Sequence, residues 1–260
     1  MKLRRISVER YVTPLREGGS MPAVVEGDDL GLYVLKFRGA GQGAKALVAE
    51  LVAGELARAL GLPVPDIVLA ELDGELARTE ADPEIQDLVR ASAGLNLALD
   101  YLPGAANFDA ATTTPVDSGL ASRIVWFDAF VSNVDRSPRN PNLMLWHGRL
   151  WLIDHGAALY IHHGWDGSAA AAGQPFPRIA DHVLLRWASD IAAADVDLAA
   201  RLTPAVFDEV LAAVPDAWLE SDAALSDAAA WRRAYAKYLN ERLCLRAAFV
   251  AEAERAHALL

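Results

Sequence analysis

Cysteine is all but missing from this chain: Cys244 stands alone among 260 residues, so no internal disulfide forms and no cysteine cluster is available for zinc. It falls inside a helical pattern and reads as a buried, inert thiol. Basic charge is also scarce. Lys and Arg number 24 against 35 Asp and Glu, a formal net charge of −11, and no Lys/Arg cluster stands out beyond the first five residues. That removes the electrostatic footprint of a nucleic-acid binder. Long apolar runs are absent too: no window reaches the length of a membrane span, and the basic start Met1 to Arg5 is followed by no signal-like apolar stretch. The expectation is a cytoplasmic protein with neither nucleic acid nor membrane as partner. What is present, 53% hydrophobic and 23% charged residues, suits a core buried as one large domain or two small lobes.

The densest chemistry lies between Phe127 and Gly156. A helix end carrying Phe127, Phe130 and Val131 runs into a polar turn with Asp135, Arg136, Asn140 and Asn142. Two apolar runs follow, Leu143 to Trp146 and Leu150 to Ile153, joined by His147-Gly148, and this pattern predicts a hairpin. Asp135 before the hairpin, an Asn at its entry and Asp154 at its exit put three oxygen-bearing side chains at one end of a small sheet. Such a set suits magnesium and a phosphoryl group. In a protein-kinase centre the first Asp accepts the proton of the substrate hydroxyl and the Asn holds one metal. The Asp of an Asp-Phe-Gly triplet holds the metal that bridges the β- and γ-phosphates. Here the triplet is Asp154-His155-Gly156. Any one of these residues alone is ordinary turn chemistry; their order around a short hairpin carries the reading.

Upstream, residues 3 to 12 alternate loosely, Glu17-Gly18-Gly19-Ser20 interrupts, and Met21 to Glu26 and Leu32 to Phe37 follow as further strands. A glycine loop and then a strand bearing Lys36 is how a kinase small lobe covers and grips the nucleotide phosphates. Ala44 to Leu60 repeats its apolar residues at helical spacing and closes at Gly61-Leu62-Pro63. A kinase needs a Glu on this helix to pair with the strand lysine. On a helical wheel Glu55 falls among Val48, Leu51 and Val52, whereas Glu50 sits at the edge of that face. Val64 to Leu72 and Leu95 to Leu102 read as strands with an unassigned polar stretch, 75 to 93, between them. The backbone from about Leu99 to Leu102, with Asp100 and Tyr101, would then meet the adenine, and Pro103-Gly104 would divide the lobes.

Beyond the hairpin, Ala157 to Ile161 extends the apolar run, and His162 to Pro177 is loop-like, in the place of an activation segment. Adjacent His162 and His163 point apart and have no third ligand nearby, so they make a poor metal site. The remainder predicts helices over Val183 to Ala194, Pro204 to Val214 and a long Ala228 to about Ala258, with aromatics such as Trp218, Trp231 and Tyr235 in the core.

The Lys36 strand, the Glu50 helix ending Leu56-Ala57-Arg58-Ala59-Leu60-Gly61-Leu62-Pro63-Val64-Pro65, and the Asp135-Arg136 turn together resemble the HipA-like kinases, neighbours of the phosphatidylinositol 3/4-kinase-like branch of the fold. The resemblance implies that Lys36 binds phosphates, Glu50 rather than Glu55 pairs with it, Asp135 is the catalytic base, and Asp154 holds magnesium. For the metal-binding Asn, the family spacing from Asp135 points to Asn140. Direct entry into the strand points to Asn142, the preferred of the two, with a two-residue insertion in Ser137-Pro138-Arg139. Some family members are switched off by autophosphorylation of a serine in the glycine loop, where Ser20 lies here, and an antitoxin or regulatory partner is a family possibility. HipA itself carries an additional N-terminal subdomain for which this length leaves no room.

The fold expected is α+β, a two-lobed protein-kinase-like fold with a β-rich lobe over 1–102 and a helical lobe over 103–260. The function expected is ATP- and Mg2+-dependent phosphoryl transfer to a Ser or Thr of a protein, with Gly18, Gly19, Ser20, Lys36, Glu50, Asp100, Tyr101 and Leu102 around the nucleotide. Two rivals share the motifs: a small-molecule kinase of the aminoglycoside or choline type, though Asn133-Val134 replaces its usual His-Gly, and a nucleotide-binding pseudokinase scaffold, for which His155 speaks.

Overall fold

A loosely alternating stretch forms β1 (Arg4–Pro14) and two short, mainly apolar runs form β2 (Ala23–Gly27) and β3 (Leu32–Lys36), an antiparallel meander with Ala23 opposite Leu35. The computed structural model describes residues 2–15, 21–41, 43–111, 116–219 and 225–260. Gly18, Gly19 and Ser20 lie outside the described residues. After β3 comes α1 (Ala44–Ala59), and Gly61 ends it with φ 74°, its N–H donating to the Arg58 carbonyl while the Leu62 N–H reaches the Ala57 carbonyl. That pair of bonds is a Schellman motif, and glycine adopts its left-handed residue without steric cost. Arg123 and Arg201 add donors at the Leu60 and Ala59 carbonyls, cationic partners for the helix's negative end.

β4 (Ile67–Leu72) follows, and then the unassigned stretch resolves into a 3-10 turn (Gly74–Thr79) and α2 (Pro83–Ala91). Asp82 caps α2 by accepting from the Glu84 N–H, with Pro83 in the first turn. β5 (Gly94–Asp100) completes a closed barrel in the order β1-β2-β3-β5-β4, in which β1 and β4 are parallel. Val25, Leu35, Val68, Ala70 and Ala98 fill it.

Past β6 (Ala106–Asn107), α3 (Ser118–Phe130) is capped by Asp117 and buried nearly all round, with Trp126, Phe127 and Phe130 fully enclosed. The predicted hairpin forms as β7 (Leu143–Trp146) and β8 (Arg149–Leu152), joined by His147 and Gly148, both at positive φ as a type I′ turn requires. The helical lobe is completed by α4 (Ile191–Arg201), α5 (Pro204–Ala212), α6 (Asp216–Leu219), α7 (Ala228–Cys244) and α8 (Ala247–His257). Among the described residues no helix is long and apolar enough to cross a membrane.

Four details differ from the pattern-based expectation. Ala157 to Ile161 forms turns leading into the 3-10 turn Tyr160–Gly164 instead of extending β8. Val183 to Ala194 is not one helix: 3-10 turns occupy Pro177–Asp181 and Leu185–Trp187, and α4 starts only after Asp190, whose carboxylate accepts from the Ala193 N–H. The Val183 N–H is drawn instead to the Arg136 carbonyl, a tertiary bond that periodicity cannot report. The long C-terminal helix breaks at Leu245-Arg246, where Arg246 donates to Asp195 at 3.0 Å and Phe249 turns onto Trp126. Cys244 ends α7 at that break and is exposed, not buried.

Candidate active site

Lys36 closes β3, Glu50 lies in the second turn of α1, Asp135 follows α3, and Asp154 follows β8. The fold brings all four to one cleft of about 410 Å³, walled also by Phe37, Tyr160 and Arg178. The Lys36 ammonium meets Asp154 Oδ1 at 2.8 Å. Burial works against its charge, yet Asp154, Glu50 and Asp135 together hold its pKa above the ordinary lysine value. Glu50 is 2% exposed; burial pushes its carboxyl up, and the Lys36 charge, followed by His155, overrides this and lowers it to about 2. Its Oε1 lies 3.8 Å from His155 Nδ1.

Glu55 is also buried but faces elsewhere, 3.5 Å from Arg58, which in turn holds Asp66. Burial raises its pKa. The wheel misleads here because α1 is enclosed all round, between barrel and helical lobe, and has no single core face.

The turn bearing Asp135 is built backward from α3. Ser132 at φ 53° ends the helix, and Asn133 folds back so that its N–H meets the Asp128 carbonyl at 2.9 Å and its Nδ2 donates to Asp128 Oδ1 at 3.0 Å. Asn133 Oδ1 then accepts the Asp135 N–H at 3.2 Å. The residues after Arg136 close on themselves, Ser137 and Asn140 exchanging backbone hydrogen bonds at 3.1 Å. Consequently both candidate asparagines reach Asp135: Asn140 Nδ2 donates to Asp135 Oδ2 at 2.8 Å, while Asn142 Nδ2 donates to the Asp135 carbonyl at 2.7 Å and to Oδ2 at 3.4 Å. Asn140 is exposed and Asn142 buried. Asn142 (φ 48°) and Asp154 (φ 55°) sit at the two open ends of the hairpin in the left-handed region, which Asn and Asp tolerate better than other side chains.

A second cleft of about 820 Å³ adjoins the first, sharing Lys36, Asn140 and Asp154, and is walled by Val34, Leu99, Leu102, Met144 and Ile153. Its apolar walls suit a flat base. Of the three residues expected at the adenine, Asp100 gives its N–H to the Asp66 carbonyl and Tyr101 gives its N–H to the Leu32 carbonyl. Asp100's carboxylate is on Arg4 at 3.2 Å. Leu102 alone of the three has an N–H that meets no acceptor among the described residues.

A sequence profile of the HipA-like kinases matches residues 8–244. The chain belongs to the HipA-like kinase family. As a family member it is an ATP-dependent kinase. In fold it is similar to the crystal structure of a Helicobacter pylori proinflammatory kinase, CtkA, at TM-score 0.58 and 12% identity, covering 96% of this chain and 98% of that one. The Golgi casein kinase aligns at TM-score 0.43 and 13% identity over 95% of this chain and 72% of its own. Its structure with Mn/ADP bound aligns at 0.43 and 14%, over 96% and 75%. Comparison with curated proteins gives no match.

Among the described residues of this HipA-like kinase, no three His, Cys, Asp or Glu side chains gather as a self-sufficient metal cage. Asp154 with one or two carboxamide oxygens is instead the hard, incomplete oxygen set that fits magnesium arriving with phosphate and water ligands. Sequence reasoning overlooked Asp128 and His182, which are buried against the residues that flank Asp135. The signal was there for Asp128: it is the single charged residue from Ile124 to Val134, inside an otherwise apolar helix end.

Proposed function

We propose that this kinase transfers the γ-phosphate of ATP to a serine or threonine of a protein, with magnesium. One observation carries the reading: Lys36, Glu50, Asp135 and Asp154, from four separate elements, converge on one cleft beside an apolar slot. Lys36 holds the α- and β-phosphates, and Glu50, ionised at every physiological pH, keeps the ammonium charged and in place. Leu102 N–H and the Val34, Leu99 and Ile153 side chains receive the base. Asp135 accepts the hydrogen bond of the acceptor hydroxyl and orients it, a role for which its carboxylate is held by the asparagine amides.

Asp154 and Asn142, with Asn140 as its neighbour, are the residues that would hold magnesium. When bound, the ion neutralises charge on the β- and γ-phosphates. Lys36 meets Asp154 directly, which puts the cation that would grip the phosphates beside the carboxylate that would hold the metal. The protein acceptor rests on the family membership.

The test is transfer of labelled γ-phosphate from ATP with magnesium, to the kinase itself and to lysate proteins, for wild type and Asp135→Asn side by side. Label on serine or threonine that is lost in the variant is the expected result. If neither protein labels any polypeptide while both bind ADP, the protein-kinase reading fails.

A further inference from the structure

We infer that Asp128, which faces neither cleft, is the positioning residue that holds Asp135 at its working orientation. The inference rests on the reading of Asp135 as the group that orients the acceptor. Asp128 sits in the last turns of α3 with no exposure, and both carboxylate oxygens are used. Oδ1 accepts from Asn133 Nδ2 at 3.0 Å; Oδ2 accepts from Arg136 Nε at 2.5 Å and from His182 Nε2 at 2.9 Å. The donors flank Asp135 on both sides. Asn133 passes the constraint on by accepting the Asp135 N–H.

Arg136 extends it: its Nη1 donates to the Asn142 carbonyl and lies 3.5 Å from the Ile153 carbonyl, so the two ends of the hairpin next to Asn142 and Asp154 hang on the same side chain. His182 Nδ1 accepts the Leu184 N–H at 3.0 Å, which leaves its proton on Nε2, pointing at Asp128. Burial favours the neutral imidazole. The charges then balance, one carboxylate against one guanidinium, in a site where an unmatched charge would be expensive. Through His182 the chain downstream of the activation segment, whose Val183 N–H also bonds the Arg136 carbonyl, joins the same junction.

Two variants separate positioning from mere support of the fold. Asn133→Ala cuts the link to the Asp135 N–H and leaves the Asp128–Arg136–His182 contacts intact; Asp128→Asn removes the charge at constant volume. For each, with wild type and Asp135→Asn, one measures kcat and KM for ATP in magnesium-dependent γ-phosphate transfer to protein or water, and Kd for ADP with magnesium. The expected result is a kcat lowered about 10²-fold with KM and Kd unchanged, the signature of a misplaced group rather than a lost binding site. Wild-type kcat in Asn133→Ala, or kcat and ADP affinity falling together, overturns the inference. Should Asp128→Asn not fold, Asn133→Ala decides alone. An active Asp135→Asn, or a wild type that transfers nothing, removes the underlying reading and the inference with it. A dead Asp135→Asn beside a normal Asn133→Ala removes only the positioning role.

Discussion

Replacing Glu50 by Gln tests the electrostatics of the cleft without touching its volume. The carboxyl's pKa is lowered from 4.5 to about 2, chiefly by the buried Lys36 ammonium acting against the cost of burial. At 1.36 kcal/mol per unit, such a shift amounts to about 3 kcal/mol of stability. The sign follows from linkage: a depressed carboxyl stabilises the fold at pH above its unfolded value of 4.5, and the contribution fades as pH falls through 4.5 toward 2. The stability difference between wild type and Glu50→Gln, from urea unfolding, should therefore be about 3 kcal/mol at pH 7 and about 2 kcal/mol at pH 3.5. Acids outside the Lys36 cluster cancel in that difference, because both proteins carry them. Parallel stability curves from pH 7 to pH 3.5 would refute the argument, since they would mean that Glu50 titrates normally and does not feel Lys36. Any constant offset between such curves would measure lost packing, not the Lys36 charge.

Four further outcomes follow from the same geometry. Asp135→Asn should lower phosphoryl transfer by about 10²- to 10⁴-fold while ADP binding persists, measured by γ-phosphate labelling and titration calorimetry. Lys36→Met should weaken ADP binding about 10- to 100-fold, the loss of a charge-assisted contact, and should bring the Glu50 pKa up toward its ordinary value, read from the pH dependence of unfolding. Asn133→Ala should separate kcat from KM as described above. Gly61→Ala should cost about 1 kcal/mol in thermal or urea unfolding without affecting activity. An added Cβ would meet Arg201 only at 3.5 Å, ordinary contact, so the penalty is that of a left-handed residue at φ 74° and not of a clash. A cost above about 3 kcal/mol would contradict that accounting.

Much of this kinase is written in local pattern. Loose alternation marks β1, short apolar runs mark β2 and β3, Gly61 ends α1, and His147-Gly148 sets a hairpin whose first strand is the run read from the sequence and whose second, Arg149–Leu152, starts and ends one residue before the run from Leu150 to Ile153. These features depend on residues within a turn or two of one another, so the chain alone determines them, and the Lys36 strand, the end of the Glu50 helix and the Asp135-Arg136 turn carry the family resemblance in the same local way. Other features are decided by partners far away in sequence. Glu50 cannot be told from Glu55 by a wheel, because α1 is buried on every side and the difference lies in what each acid faces: Lys36 and His155 for one, Arg58 for the other. The helix expected at Val183 is prevented by a bond to Arg136, and the break at Leu245-Arg246 comes with an ion pair to Asp195. Asp128 stands out in sequence as a lone charge but acquires meaning only when Arg136 and, 54 residues on, His182 arrive at its oxygens. A buried charge is stable only where its partners converge, and that convergence belongs to the tertiary structure.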